Sequence, residues 1–211
     1  VYYIDRIIKT LLWTKGGFRV YLAGNEAVCD AMKAHYSAGG ERDFDFDYMG
    51  NVFEHPFEVV RVDAVPEEKS ESKAIGRHLD GCRIGFDAGG SDRKVSAVID
   101  GECVYSEEVV WFPKLNEDPN YKYNEILTAF RTAASTMPRV DAIGVSSAGT
   151  FIGNAPRISS IFYKVPRSRW DEVKTCFDRA AAAIGDVPIV VANDGDVSAL
   201  AGAMGLGAGN N

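Results

Sequence analysis

Residues 81–211 predict an α/β fold: a mixed five-stranded sheet in the order β-β-β-α-β-α-β-α, preceded by a small α+β module over residues 1–80. Three observations predict it. Alternating apolar stretches at 83–88, 94–100 and 103–112 are joined by tight turns, which is the pattern of an antiparallel meander. Two later apolar strands, 140–149 and 188–194, each follow a helical stretch, so right-handed crossovers should lay them parallel to the first strand. Between the halves lies a polar stretch, 63–81, with "PEEKSESK" at its centre, which reads as an exposed linker.

The elements follow in order. Residues 2–13 carry Ile4, Ile7, Ile8, Leu11 and Leu12 at helical spacing, and Lys15-Gly16-Gly17 stops that helix. A short strand covers 18–24, and a helix opened by Asn25 as its cap covers 25–36. In "RDFDFDYMGN" three acids alternate with apolar residues, which predicts one exposed strand face, and a further strand lies near 57–62. EF-hand spacing is absent from those acids. Past the meander, a helix spans 121–135 with Ile126, Leu127 and Phe130 on one side. A longer helix spans 168–185, with Trp170, Val173, Phe177, Ala180, Ala181 and Ile184 along its apolar stripe. A last helix covers 195–206.

Composition excludes several classes. The 211 residues are 46% apolar and 25% charged, ordinary for a globular chain of one domain plus a small module. A net charge of −7 argues against nucleic acid as a partner. No run of about 18 apolar residues is present and no signal-peptide pattern opens the chain, so no membrane partner is expected. Cys29, Cys82, Cys103 and Cys176 are scattered, without a CxxC pair, as in reduced cytoplasmic proteins. His35, His55 and His78 read as surface or structural histidines.

In sheets of this kind ligands collect at the carboxyl ends of the parallel strands. Asp87, Ser146-Ser147-Gly149 and Asn193-Asp194 fall at three such ends. Each has two readings. Asp87-Ala88-Gly89-Gly90-Ser91 is a hairpin turn with a solvated acid, or a turn whose glycines let backbone N–H groups approach an anion. In the second reading Asp87 holds a metal-bound water against phosphates. Asp194 is a cap of the following helix, or a general base with Asn193 positioning the substrate. The stretch "SSAGTFIGN" is a flexible loop, or room for a polyol bound by Ser147 and Asn154.

Taken together, these pieces resemble the actin-like ATPase superfamily, which includes sugar kinases and has an RNase H-like fold. "IGFDAGGSDRKVSAVIDG" looks like the first phosphate motif of its ROK family of repressors and sugar kinases. "IGVSSAGTFIGN" stands at the family's sugar-side loop, and "VVANDGDVSALAGAM" looks like the segment that carries its catalytic base. The match runs over about 83–207. It implies an N-terminal lobe of an ATP-dependent sugar kinase. Asp194 would deprotonate a sugar hydroxyl. Asn193, Ser147, Gly149 and Asn154 would bind the sugar. Asp87, Gly89, Gly90 and Ser91 would face ATP and Mg²⁺, the metal being held by Asp87 through water.

The chain departs from the family at Ser91-Asp92, where Thr-Lys is usual, at Ser147-Ala148-Gly149 in place of Pro-Gly, and at Gly195-Asp196 in place of Ala-Asn. The resemblance also implies a second lobe after "GLGAGNN", with the adenosine site, more sugar ligands and in many members a zinc site. A chain without that lobe should be inactive alone. The implied partners are a sugar and a nucleotide in the cytoplasm, and the resemblance allows a homo-oligomer. The alternative is a non-catalytic sensor or scaffold on the same fold. A third class, an ATPase-type activator of another enzyme, would bring cluster-binding cysteines, and these cysteines are not so arranged.

Overall fold

The computed structural model describes residues 1–69 and 79–205. The chain divides into two units, Val1–Lys73 and Ala74–Asn211. Residues 63–69 of the expected linker are irregular and exposed; residues 70–78, His78 among them, and 206–211 lie outside the described residues.

The N-terminal unit runs α1 (Tyr2–Lys15), β1 (Arg19–Leu22), α2 (Glu26–His35), α3 (Asp43–Phe53) and β2 (Glu58–Arg61). β1 and β2 pair in parallel, Arg19 opposite Glu58 through Leu22 opposite Arg61. Asn25 caps α2, its Oδ1 accepting the Val28 N–H at 3.2 Å. Ile8, Leu12, Met32, Tyr36, Met49, Phe57 and Val59 form the core.

The expected exposed strand at 43–52 is a helix instead. The alternation of Asp43, Asp45 and Asp47 spans only five residues, too few to exclude helical spacing. Asp45, Met49 and Val52 are the buried positions of α3, at i, i+4 and i+7. Asp45 can sit inside because α1 meets it with cations and donors: Lys9 Nζ lies 2.9 Å from its Oδ2, and Trp13 Nε1 donates to its Oδ1 at 2.6 Å. Asp5 on α1 is buried the same way. Arg42 grips it through two N–H groups, Nε donating to Oδ1 at 2.9 Å, and His35 Nδ1 stands 3.4 Å away. The Arg42 hydrogen bond holds the Asp5 carboxyl below its ordinary value of 3.8.

The C-terminal unit begins with β3 (Cys82–Ala88), β4 (Asp92–Ile99), β5 (Glu102–Val110) and α4 (Pro119–Ala134). Then follow β6 (Ala142–Ser147), β7 (Gly149–Ile152), β8 (Ala155–Ser159), α5 (Trp170–Lys174), α6 (Cys176–Ala182), β9 (Ile189–Asn193) and α7 (Asp194–Gly205). The main sheet has five strands in the order β5-β4-β3-β6-β9. β3, β4 and β5 are antiparallel neighbours, while β6 and β9 continue the sheet in parallel from β3. This is the mixed sheet that the strand order predicts.

One face of the sheet is sealed. Ile84, Phe86, Val95, Ala97, Ile143, Val145 and Val191 are buried with Ile126 and Phe130 of α4 and with Phe177 and Ala180 of α6. Phe86 and Phe130 meet edge to face at 5.4 Å. Each such aromatic contributes roughly 1.5–3 kcal/mol by leaving water. The other face carries Gly85, Asp87, Ser96, Gly144, Ser146 and Ala192, small or polar positions that stay partly open.

Two further differences from the sequence reading have local causes. The expected helix 168–185 breaks at Thr175, whose hydroxyl donates to the Asp171 and Glu172 carbonyls and competes with the helical ladder. The loop after β6 is a hairpin, β7 and β8, turning at Gly153-Asn154. Lys122 on α4 is fully buried and donates to the Asn116 carbonyl; burial pushes its amine below the ordinary lysine value.

The Asp5–Arg42 pair yields a prediction. Arg42→Met leaves a buried carboxylate without its main partner and should cost about 3–5 kcal/mol, read as faster exchange of α1 amide protons. Because the folded-state carboxyl titrates below 3.8, the pair contributes fully above that pH and fades as pH falls through the lower folded value. The gap between wild type and Arg42→Met should therefore close on acidification; a gap that holds constant from neutral pH to about pH 2 would remove Asp5 as its source.

Candidate functional site

Strand register decides which groups share the edge. Asp87 on β3 stands opposite Ser146 on β6, and Ser146 stands opposite Ala192 on β9. The next row is Ala88, Ser147 and Asn193. Asp87 and Asp194 therefore end two strands apart at one edge, about 10 Å across the sheet for strands about 4.8 Å apart, with Asp194 two residues past Ala192, which shares the row of Asp87.

Asp87 lies on the open face, half-buried, and has no hydrogen-bond or ion-pair partner among the described residues. The cation opposite it in register, Lys94, turns instead to Asp92 at 3.6 Å and Glu108 at 3.8 Å. Arg93 points to the other face, 4% exposed, and is held by Glu125 at 2.9 Å and Glu107 at 3.3 Å.

Past Asp87 the chain turns through Gly89, Gly90 and Ser91. Gly89 is required by close approach: a Cβ there would stand 2.6 Å from the Asp92 carbonyl oxygen, whereas one on Gly90 would meet only the end of the exposed Lys114 side chain. Trp111, just beyond β5 and 1% exposed, straps this turn down. Its backbone N–H donates to the Ser91 carbonyl at 3.1 Å, and its indole N–H donates to the Gly89 carbonyl at 2.8 Å. Ser91 itself is exposed.

The remaining expected residues are placed differently from one another. Asp194 opens α7 and is exposed; its Oδ1 accepts the Gly195 N–H at 3.0 Å. The stronger cap is Asn193, whose Oδ1 accepts the same N–H at 2.8 Å while its Nδ2 donates to the Gly149 carbonyl at 2.8 Å. Gly149, at φ 146°, could carry no side chain, because a Cβ would meet the Ile158 carbonyl. Ser147 is fully buried, and its hydroxyl donates to the Ala88 carbonyl at 3.2 Å, tying β6 to β3. It stands behind the open face. Asn154 is away from the edge. Its Oδ1 accepts the Val191 N–H at 3.0 Å, and its Nδ2 donates to the Ile189 carbonyl at 3.2 Å and to Asp178 at 2.8 Å. One side-chain amide thus closes the outer edge of β9 as a neighbouring strand would.

Sequence reasoning placed Asp87, the glycine turn and Asn193-Asp194 at one edge and missed Trp111 and Lys114. The available signal was "WFPK": a buried-type aromatic followed by a proline that ends the strand and a lysine behind it.

No protein-family model matches the chain, and no curated protein matches it. Solved structures do. A ROK family transcriptional regulator, a homolog of the E. coli MLC protein, is 16% identical, over 55% of this chain and 28% of that one, with a TM-score of 0.42. An inorganic polyphosphate/ATP-glucomannokinase from Arthrobacter sp. strain KM is 21% identical, over 55% of this chain and 45% of that one, with a TM-score of 0.40. An exopolyphosphatase from Cytophaga hutchinsonii is 11% identical, over 90% of this chain and 77% of that one, with a TM-score of 0.36. The chain spans less than half the length of the first two. The likeness is of fold and assigns no residue a role.

Asn154→Ala tests the structural assignment of that side chain. It strands the Val191 N–H and the Ile189 carbonyl and should cost about 1–3 kcal/mol, with faster exchange at the β9 amides. Unchanged stability together with weaker sugar binding would return Asn154 to the ligand set.

Proposed function

We propose that the C-terminal unit is one lobe of a phosphotransferase that moves the γ-phosphoryl group of Mg-ATP to a sugar hydroxyl. The observation that carries this reading is Asp87: a half-buried carboxylate without a partner among the described residues, beside a glycine turn in which Gly89 has no room for a Cβ. A half-buried carboxylate at a strand end, with no cation of its own among the described residues, is open to a divalent cation or its water shell.

The residues fit a polyphosphate with its cation. Among the described residues no three His, Cys, Asp or Glu side chains converge as a metal cage. Phosphate oxygens and water would supply most ligands of Mg²⁺, with Asp87 the protein's contribution, as suits that ion. When bound, Mg-ATP supplies the transferable group and the charge that neutralises it. The chain's own residues do the rest. Gly89, Gly90 and Ser91 offer backbone N–H groups and a hydroxyl to the phosphates. Asp194 is exposed at the same edge, free to accept a proton from a hydroxyl nucleophile. Asn193 fixes the start of α7, and so the direction of Asp194, through its two hydrogen bonds.

A second reading, a non-catalytic sensor on this fold, is favoured by one fact. Two of the four sugar-side groups expected from sequence, Ser147 and Asn154, direct their hydrogen bonds into the sheet.

The two readings separate in a coupled assay of ADP release with Mg-ATP and a panel of sugars, run on a protein that carries both lobes. The kinase reading expects sugar-dependent release that falls about 10²–10⁴-fold in Asp194→Asn, the range for loss of a general base. Asp87→Asn should raise the Mg²⁺ concentration needed for half-maximal rate. Release that continues at the wild-type rate in Asp194→Asn removes that residue as the base. ATP binding with no release for any sugar selects the sensor.

A further inference from the structure

The glycine turn has an odd balance of charge. Asp87 and Asp92 flank it, and of the nearby cations Arg93 is spent on Glu107 and Glu125, and Lys94 on Asp92 and Glu108. A site for phosphates built this way would repel them. The exception is Lys114. It has no carboxylate and no hydrogen-bond acceptor as a partner among the described residues, and its amine and Cε pack directly on Gly90, where a methyl group would displace them.

That placement is built from several contacts. β5 ends at Val110, and Trp111 crosses the turn with its two hydrogen bonds to Ser91 and Gly89. Pro113, buried, opens a single 3-10 turn, Pro113–Leu115, which carries Lys114 over Gly90. Behind it the Phe112 N–H donates to the Tyr121 hydroxyl at 3.0 Å, tying the strap to α4. Lys114 is exposed, so its amine is open to a ligand while its end lies along Gly90. An ammonium beside two side-chain-free residues can meet an anion that the turn's backbone N–H groups also reach.

We propose that Lys114 is the cation that binds the terminal phosphates of a polyphosphate chain at the Gly89–Gly90 turn, the inference resting on the phosphotransferase reading above. Lys114 would deliver its charge to the turn from just past the end of β5. Asp92 then faces Lys94, whose amine stands 3.6 Å from its Oδ1. The ligand class is an inorganic or nucleoside polyphosphate; the clamp contacts no base or ribose, so tripolyphosphate and ATP should both use it.

Titration calorimetry of the 211-residue chain tests this, with tripolyphosphate and Mg²⁺ in one series and Mg-ATP in the other. Lys114→Gln should weaken both ligands roughly tenfold to a hundredfold, the worth of one charge-assisted hydrogen bond. Lys114→Arg should stay within about threefold of wild type, as should Lys94→Gln, and the unfolding midpoint of each variant should be unchanged. Wild-type affinity for Mg-ATP in Lys114→Gln overturns the role of Lys114 and leaves the phosphotransferase reading standing. A wild-type chain that binds neither ligand overturns the clamp, and the phosphotransferase reading then stands or falls on the coupled assay. Equal losses in Lys114→Gln and Lys114→Arg, with a fall in unfolding midpoint, make the residue structural and overturn the inference.

Discussion

The register of β3 is the constraint on which the C-terminal unit depends. β3 is the central strand, antiparallel to β4 on one side and parallel to β6 on the other. Its even-numbered residues Cys82, Ile84, Phe86 and Ala88 are all 3% exposed or less. Its odd-numbered residues face the open side. A slip of one residue against either neighbour would drive Asp87 into the apolar core and bring Phe86 out. Burial of Phe86 against Phe130 therefore aims Asp87, and the same rows carry Ser146, Ser147 and Asn193 to the edge. The core and the candidate site are two faces of one alternation.

The ends of the sheet bring a second requirement. A strand that stops leaves backbone groups unpaired, and each needs a partner. This chain supplies several of them from side chains. Asn154 completes the outer edge of β9, Asn193 caps α7 and takes the Gly149 carbonyl, Ser147 takes the Ala88 carbonyl, and Trp111 takes the Gly89 carbonyl. Polar residues gathered near a ligand edge thus divide into two groups. Those with hydrogen bonds to the backbone hold the edge still. Asp87 and Lys114 have none among the described residues. On the proposed reading, the first group would give the second the fixed geometry that a site for phosphates needs.

How much of this was legible in the sequence follows from the range of each interaction. Alternation is local, so the strand predicted at 83–88 is β3 at Cys82–Ala88, and the mixed order of the five main strands came through. Where the local signal was short it misled. Five alternating residues at 43–47 belong to a helix because Asp45 is met by Lys9 and Trp13, more than thirty residues away. The β7–β8 hairpin carried a usable sign, Gly153-Asn154 between apolar pairs, that went unread. The roles of Ser147 and Asn154 were not legible at all. Their partners lie 59 and 35–37 residues away, and nothing in their own surroundings tells a sheet tie from a sugar ligand. Lys114 was hidden likewise, since its neighbour Gly90 is across a strand end.

Charge closes the argument. The chain is acidic overall, −7, and the open edge adds Asp87, Asp92 and Asp194 without a neutralising pair for Asp87. An edge so charged repels a bare anion and attracts a cation. On the proposed reading, a polyphosphate arriving with its divalent ion would change the balance: the ion would meet the acid, and the phosphates would meet the glycine turn and Lys114. Neither partner would suit the edge alone. Phosphates without metal would face Asp87, and metal without phosphates would find a single carboxylate where Mg²⁺ requires several oxygens. The proposed site would therefore select the complex over its parts, as an enzyme or a sensor of Mg-nucleotide needs.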